Sequence, residues 1–94
     1  MIIILKIIDT NILLNTPQIV ESEDEIMISM GVLKELDGLK KHVNHEVASK
    51  ARRAAIYISR NIDKIHWDIK EREGTVDEQL IDITKENDGM LITN

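Results

Sequence analysis

Cysteine is absent from this 94-residue chain, which excludes disulfide scaffolds and thiolate metal sites together. Phenylalanine is absent too, and Trp67 and Tyr57 are the only aromatic residues. That weighs against RNA-recognition sheets and oligonucleotide-binding barrels, which hold bases on several stacked aromatic rings. No apolar run is long enough to cross a bilayer. The opening stretch is interrupted by Lys6 and stopped by Asp9, and it lacks the basic leader and small-residue cleavage site of a signal peptide. The expectation is a soluble, cytoplasmic protein with no membrane partner. Internal repeats and low-complexity tracts are also missing.

What remains is a chain with 43% hydrophobic and 31% charged residues, enough for a packed aliphatic core inside a solvated shell. The length suits a single domain over residues 1–94. The net charge of −5 is unevenly spread. Residues 34–64 hold eight Lys/Arg against four acids, and the rest of the chain holds four against thirteen. A basic middle within an acidic chain suits a polyanion partner beside a carboxylate cluster, although solvated helix faces give the same pattern.

Apolar periodicity alternates between two kinds of element. Ile2–Ile8 is β-branched and nearly unbroken, as in a strand buried on both faces. Ile26–Met30 reads as a second strand, and helical spacing begins at Val32. Asn44 is placed to cap a longer helix whose stripe runs through Val47, Ala51, Ala54, Ala55, Ile58 and Ile62. Ile65 and Trp67 alternate with His66 and Asp68 as in a half-buried strand. Asp77 is placed to cap a short helix that turns Leu80, Ile81 and Thr84 inward, and Met90–Ile92 begins another strand. This alternation predicts an α/β fold in which a parallel sheet carries helices on both faces.

In such a sheet the working edge lies beyond the strand C-termini. Asp9, Glu35 and Asp77 would each reach that edge from a different strand–helix connection, although each also suits a helix cap or a helix-dipole complement. Converging carboxylates need a counter-charge. Hard oxygen donors, with no Cys and no His pair at ligand spacing, select Mg²⁺ or Mn²⁺ over Zn²⁺. Such an ion would activate water and neutralise charge in phosphodiester hydrolysis, with Lys34, Lys40, Arg52 and Arg53 holding the phosphate backbone.

Five segments resemble one family: Ile7-Ile-Asp9-Thr10-Asn11-Ile-Leu-Leu14, Gly31-Val-Leu-Lys-Glu35-Leu36-Asp37-Gly-Leu-Lys40, Lys50-Ala-Arg52-Arg53-Ala-Ala, Val76-Asp77-Glu-Gln-Leu80-Ile81, and Leu91-Ile-Thr93-Asn94. Together they resemble a PIN domain, most closely those fused ahead of PhoH-type ATPase modules. The resemblance implies a three-layer α/β/α sandwich around a parallel sheet and Mg²⁺- or Mn²⁺-dependent cleavage of single-stranded RNA. It also implies that Asp9, Glu35 and Asp77 are metal ligands and catalytic residues. Asn11 resembles the residue that orients the first Asp and the substrate. Thr10 and Thr93 fall in the same motifs and are expected at the substrate. The family's closing motif is Thr-Asn-Asp, of which Thr93-Asn94 is the beginning. The expectation is therefore a sheet without its last helix and strand, with an open edge that favours homo-oligomers.

Two other readings remain open. One is a non-catalytic module that binds RNA or a partner for a fused ATPase. The other is a phosphate-transfer domain of receiver or haloacid-dehalogenase type. There Asp68 would take the place of the acceptor Asp of the third strand, but the second acid after Asp9 is replaced by Asn11.

Overall fold

The computed structural model describes residues 3–93. The elements are β1 (Lys6–Ile8), α1 (Thr10–Asn15), α2 (Ile19–Ser22), β2 (Ile26–Ser29), α3 (Met30–Leu39), α4 (His45–Arg60), β3 (His66–Asp68), α5 (Val76–Glu86) and β4 (Met90–Ile92). The four strands form one parallel sheet in the order β3-β2-β1-β4. The fold is α/β with a parallel sheet, as expected. Residues 1, 2 and 94, and with them Ile2 and Asn94 of the expected end segments, lie outside the described residues.

β1 is central and its two isoleucines, Ile7 and Ile8, are fully buried. It is shorter than its apolar run. Its register with β2 covers only Lys6 and Ile7, opposite Ile26 and Met27. Just before Ile26 the backbone turns at Glu25 with φ +57°, so β2 offers nothing to pair with residues 3–5. On the other side the chain enters β4 at Gly89, and pairing begins with Met90 N–H donating to the Leu5 carbonyl. Ile3 and Ile4 are accordingly left exposed.

Local sequence accounts for the helix starts. Ser29 ends β2 and caps α3, its hydroxyl accepting from Val32 N–H at 3.1 Å. Met30 is therefore the first helical residue instead of the last of the strand. Asn44 caps α4 as expected, its side-chain oxygen accepting from Glu46 and Val47 N–H. The inward stripe of α4 is Ala48, Ala51, Ala54 and Ile58, with Val47 only half-buried and Ile62, past the helix end, exposed. α5 is capped by Thr75, not Asp77. The Thr75 hydroxyl accepts from Glu78 N–H and donates to the Glu78 carboxylate, a variant of the capping box in which the side chains bond each other. Val76, Leu80 and Ile83 then share one face of α5. Ile81, a further 100° round, points outward, and Thr84 is half-buried with its hydroxyl donating to the Leu80 carbonyl.

The chain steps from β1 to β2 to β3 in one direction and then jumps back across the sheet to β4. α1, α2 and α3 pack against α4, while α5 packs on β1 and β4; right-handed crossovers with this strand order place the two groups on opposite faces of a parallel sheet. Among the described residues no helix is long and apolar enough to cross a membrane.

Candidate active site at the β1–β4 crevice

The reversal of winding falls between β1 and β4, the position at which open α/β sheets have their ligand crevice. Asp9 and Thr93 stand at that position, at the ends of the two strands. Asp9 N–H donates to the Ile92 carbonyl at 3.1 Å, and the Thr93 hydroxyl donates to Asp9 Oδ2 at 2.9 Å. Asp9 also occupies the N-cap position of α1, yet its carboxylate makes no capping bond. A short acid that could satisfy the helix end is instead held toward β4.

Thr10 is the first residue of α1. It is buried, and its Oγ1 is the buried side-chain polar atom without a hydrogen-bond partner among the described residues. Such an orphan costs about 1–3 kcal/mol, and here it lies next to Asp9. Asn11 is exposed in the same turn.

Glu35 lies on α3, one helical turn beyond Gly31. Gly31 is where α3 approaches α5: a Cβ there would stand 2.7 Å from Gln79 Oε1 and 3.6 Å from Val76 Cγ2. Between α3, the start of α5 and the loop after β3 runs an open groove of about 960 Å³, whose lining includes Gly31, Lys34, Glu35, Lys70, Arg72 and Gln79. Asp77 is the second residue of α5 and is exposed; Thr75 and Glu78 relieve it of capping. Among the described residues, neither Glu35 nor Asp77 is held by an ion pair.

Oxygen donors of this kind suit Mg²⁺ or Mn²⁺ chemically. Among the described residues, however, no three His, Cys, Asp or Glu side chains are grouped closely enough to hold a metal ion. Asp9 follows β1, Glu35 lies midway along α3 and Asp77 in the first turn of α5, and the three form no preassembled carboxylate cage. Asp9 with Thr93 is the preformed part.

The basic residues expected on phosphate have separate surroundings. Lys34 lines the groove beside Glu35. Lys40 pairs with Asp37 at 3.3 Å, and Arg52 donates to the Lys40 carbonyl at 3.3 Å, tying α4 to the end of α3. Arg53 lies over the Tyr57 ring, 5.7 Å from its centroid.

Sequence reading missed the network that shapes the loop wall of the groove. Arg72 donates from Nε and Nη2 to both oxygens of Asp68 at 2.8 and 2.9 Å, and from Nη1 to Glu86 at 2.6 Å. The Asp68 hydrogen bonds, and then those to Glu86, push the guanidinium pKa above its usual range. Arg72 in turn holds the Glu86 carboxyl below the ordinary carboxylate value. Asp68 is thereby bound at both oxygens, which removes it as a free phosphoryl acceptor. No sequence signal announces this clasp, because Asp68 and Arg72 face each other across a non-helical turn and Glu86 is fourteen residues further on.

A family model described as a PIN domain matches residues 6–93. Comparison with curated proteins gives no match.

Proposed function

Because the chain belongs to the PIN domain family, whose members are in general nucleases working with divalent metal ions, we propose that it is an endoribonuclease domain. It would hydrolyse phosphodiester bonds of single-stranded RNA with Mg²⁺ or Mn²⁺. The observation that carries this reading is Asp9. It stands at the switch crevice of the sheet, is spared from capping and is oriented by Thr93.

Asp9, Glu35 and Asp77 are the residues that would hold the ion, which when bound would lower the pKa of a water and offset charge on the reacting phosphate. The protein's own contribution is positional. Thr93 occupies one oxygen of Asp9 and leaves the other free, which holds the carboxylate toward β4. The Thr10 hydroxyl is buried beneath this position, and Asn11 presents an exposed amide in the same turn. Lys34, beside Glu35, supplies positive charge for the phosphate backbone. The domain would deliver this activity to a fused or interacting PhoH-type ATPase. β4 has a strand partner only on its β1 side among the described residues, which makes its other edge the place for self-association.

A second reading, a non-catalytic module that binds RNA or a partner for the ATPase, is favoured by one finding: the carboxylates form no preassembled cage. Cleavage of an end-labelled single-stranded oligoribonucleotide decides between them. The nuclease reading expects cutting that requires Mn²⁺ or Mg²⁺, stops with chelator, and is lost in Asp9→Asn. Thr93→Val should slow it while leaving the fold intact. Cutting that survives in Asp9→Asn would remove the proposal, and binding without turnover under every metal condition would establish the second reading.

A further inference from the structure

α4 carries a basic stripe with its one aromatic residue, the half-buried Tyr57, at the centre. Arg53 and Arg60 approach the Tyr57 ring from two turns, their guanidinium carbons 5.7 and 5.8 Å from its centroid. Both arginines are exposed and neither has a carboxylate at ion-pair distance among the described residues. Lys50 lies on the same stripe. The acids bordering it are Glu46, 3.7 Å from Lys50, and Glu21, which accepts a hydrogen bond from Asn61 near the far end. The excess on this face is positive in a chain whose net charge is −5.

The stripe is also continuous with the crevice. Asn11 and Asn15 stand four residues apart on one face of α1, and Asn15 Nδ2 donates to the Asn11 carbonyl. The other end of the Asn15 amide accepts from Lys50 Nζ at 3.5 Å. A line of polar groups therefore leads from Asp9 through Asn11, Asn15 and Lys50 to the Arg53–Tyr57–Arg60 triplet.

We propose that single-stranded RNA entering the Asp9 crevice is held along this second track, across α1 and onto α4. The backbone phosphates would draw Arg53, Arg60 and Lys50 outward, and a base would take the place of one guanidinium over the half-buried Tyr57 ring. This rests on the nuclease reading for the nature of the ligand. A single strand fits better than a duplex or an acidic peptide. Only an unpaired base offers a face to Tyr57, and a peptide would gain nothing from the ring between two guanidinium groups.

The test is fluorescence anisotropy of a labelled oligouridylate, about 15 nucleotides long, binding the full chain in the presence of chelator across a salt series. For single strands each lost phosphate contact reduces the slope of log affinity against log salt by about 0.7. Arg53→Ala/Arg60→Ala should therefore flatten the slope by about 1.4, whereas Arg53→Lys/Arg60→Lys keeps it. Tyr57→Leu should weaken binding by roughly tenfold and Tyr57→Phe should not. Lys85→Ala, on α5, should change nothing. An unchanged slope in the double alanine variant would overturn the track. So would equal competition by duplex RNA or polyglutamate. Asp9→Asn keeps the two ideas apart: it should fail to cleave, while in its background Arg53→Ala/Arg60→Ala should still flatten the slope by about 1.4. A nuclease reading that failed in the cleavage assay would leave the anisotropy result standing by itself.

Discussion

Replacing Arg72 by methionine should cost this fold a large part of its stability. The Arg72 side chain is 7% exposed and that of Asp68 11%, so their bidentate pair is essentially withdrawn from water. Removing one member of such a pair leaves the other charge buried and uncompensated, at about 3–5 kcal/mol. The Glu86 carboxylate, 44% exposed, can return to solvent and adds little to that cost. A chain of this length has about 5–14 kcal/mol of stability in total, so the variant should lose a fifth of it at the least. Trp67 is the only tryptophan and is adjacent to Asp68, with its indole N–H donating to the Ile62 carbonyl. Its fluorescence therefore reports urea unfolding of the region concerned without an added label. If the stranded Asp68 charge is the cause, Asp68→Asn in the Arg72→Met background should recover more than half of the loss. A loss of less than about 1 kcal/mol, the scale of a surface pair, would refute the reasoning, as would a double variant no better than Arg72→Met alone.

Three further outcomes rest on individual contacts. Ser29→Ala removes the buried cap of α3 and should destabilise by about 1–2 kcal/mol in the same urea titration. Gly89→Ala would place a Cβ 2.5 Å from Ile7 Cδ1 and 2.8 Å from the Leu5 carbonyl oxygen, at the entry to β4. It should cost about 1–3 kcal/mol and lower the melting temperature. Glu86 has its folded-state pKa lowered, so it contributes stability that is present above its ordinary value of 4.5 and lost as pH falls through the lowered one. Urea midpoints measured across the acid range should therefore fall less steeply in Glu86→Gln than in the parent chain.

The fold was readable wherever one chemical pattern left one structural choice. Ile7 and Ile8 could be buried only by a strand covered on both sides, and Asn44 is the good capping residue that stands just before the α4 stripe. Reading failed where a neighbour decided the matter. Ile3 and Ile4 are as β-branched as Ile7 and Ile8, but the left-handed turn at Glu25 leaves them nothing to pair with. Asp77 and Thr75 are both competent caps. The choice between them fell to Glu78, which can bond Thr75 at the spacing of a capping box and has no such spacing to Asp77. Ile81 and Ile83 are equally apolar, and once Val76 and Leu80 face inward the helical period carries Ile83 with them and turns Ile81 away.

The candidate site divides along the same line. Element order alone carries Asp9 to the crevice, because a residue that ends a central parallel strand has nowhere else to be. Its use there, with Thr93 and not as a cap, depends on β4 lying directly beside β1, a relation between residues separated by most of the chain. Glu35 and Asp77 are on helices, where about 100° of rotation per residue decides whether a carboxylate enters a shared sphere or faces solvent. That rotation is set by how α3 and α5 pack, at the Gly31–Gln79 approach, and spacing in sequence carries no information about it. A larger residue at position 31 would displace the Gln79 amide, which donates to the Arg72 and Gly74 carbonyls, and so loosen the anchorage of α5 beside α3. Gly31→Val should therefore weaken Mn²⁺-dependent cleavage more than it weakens RNA binding in chelator. Equal losses in the two assays would mean that the α3–α5 contact serves the fold alone and does not set the spacing of the acids.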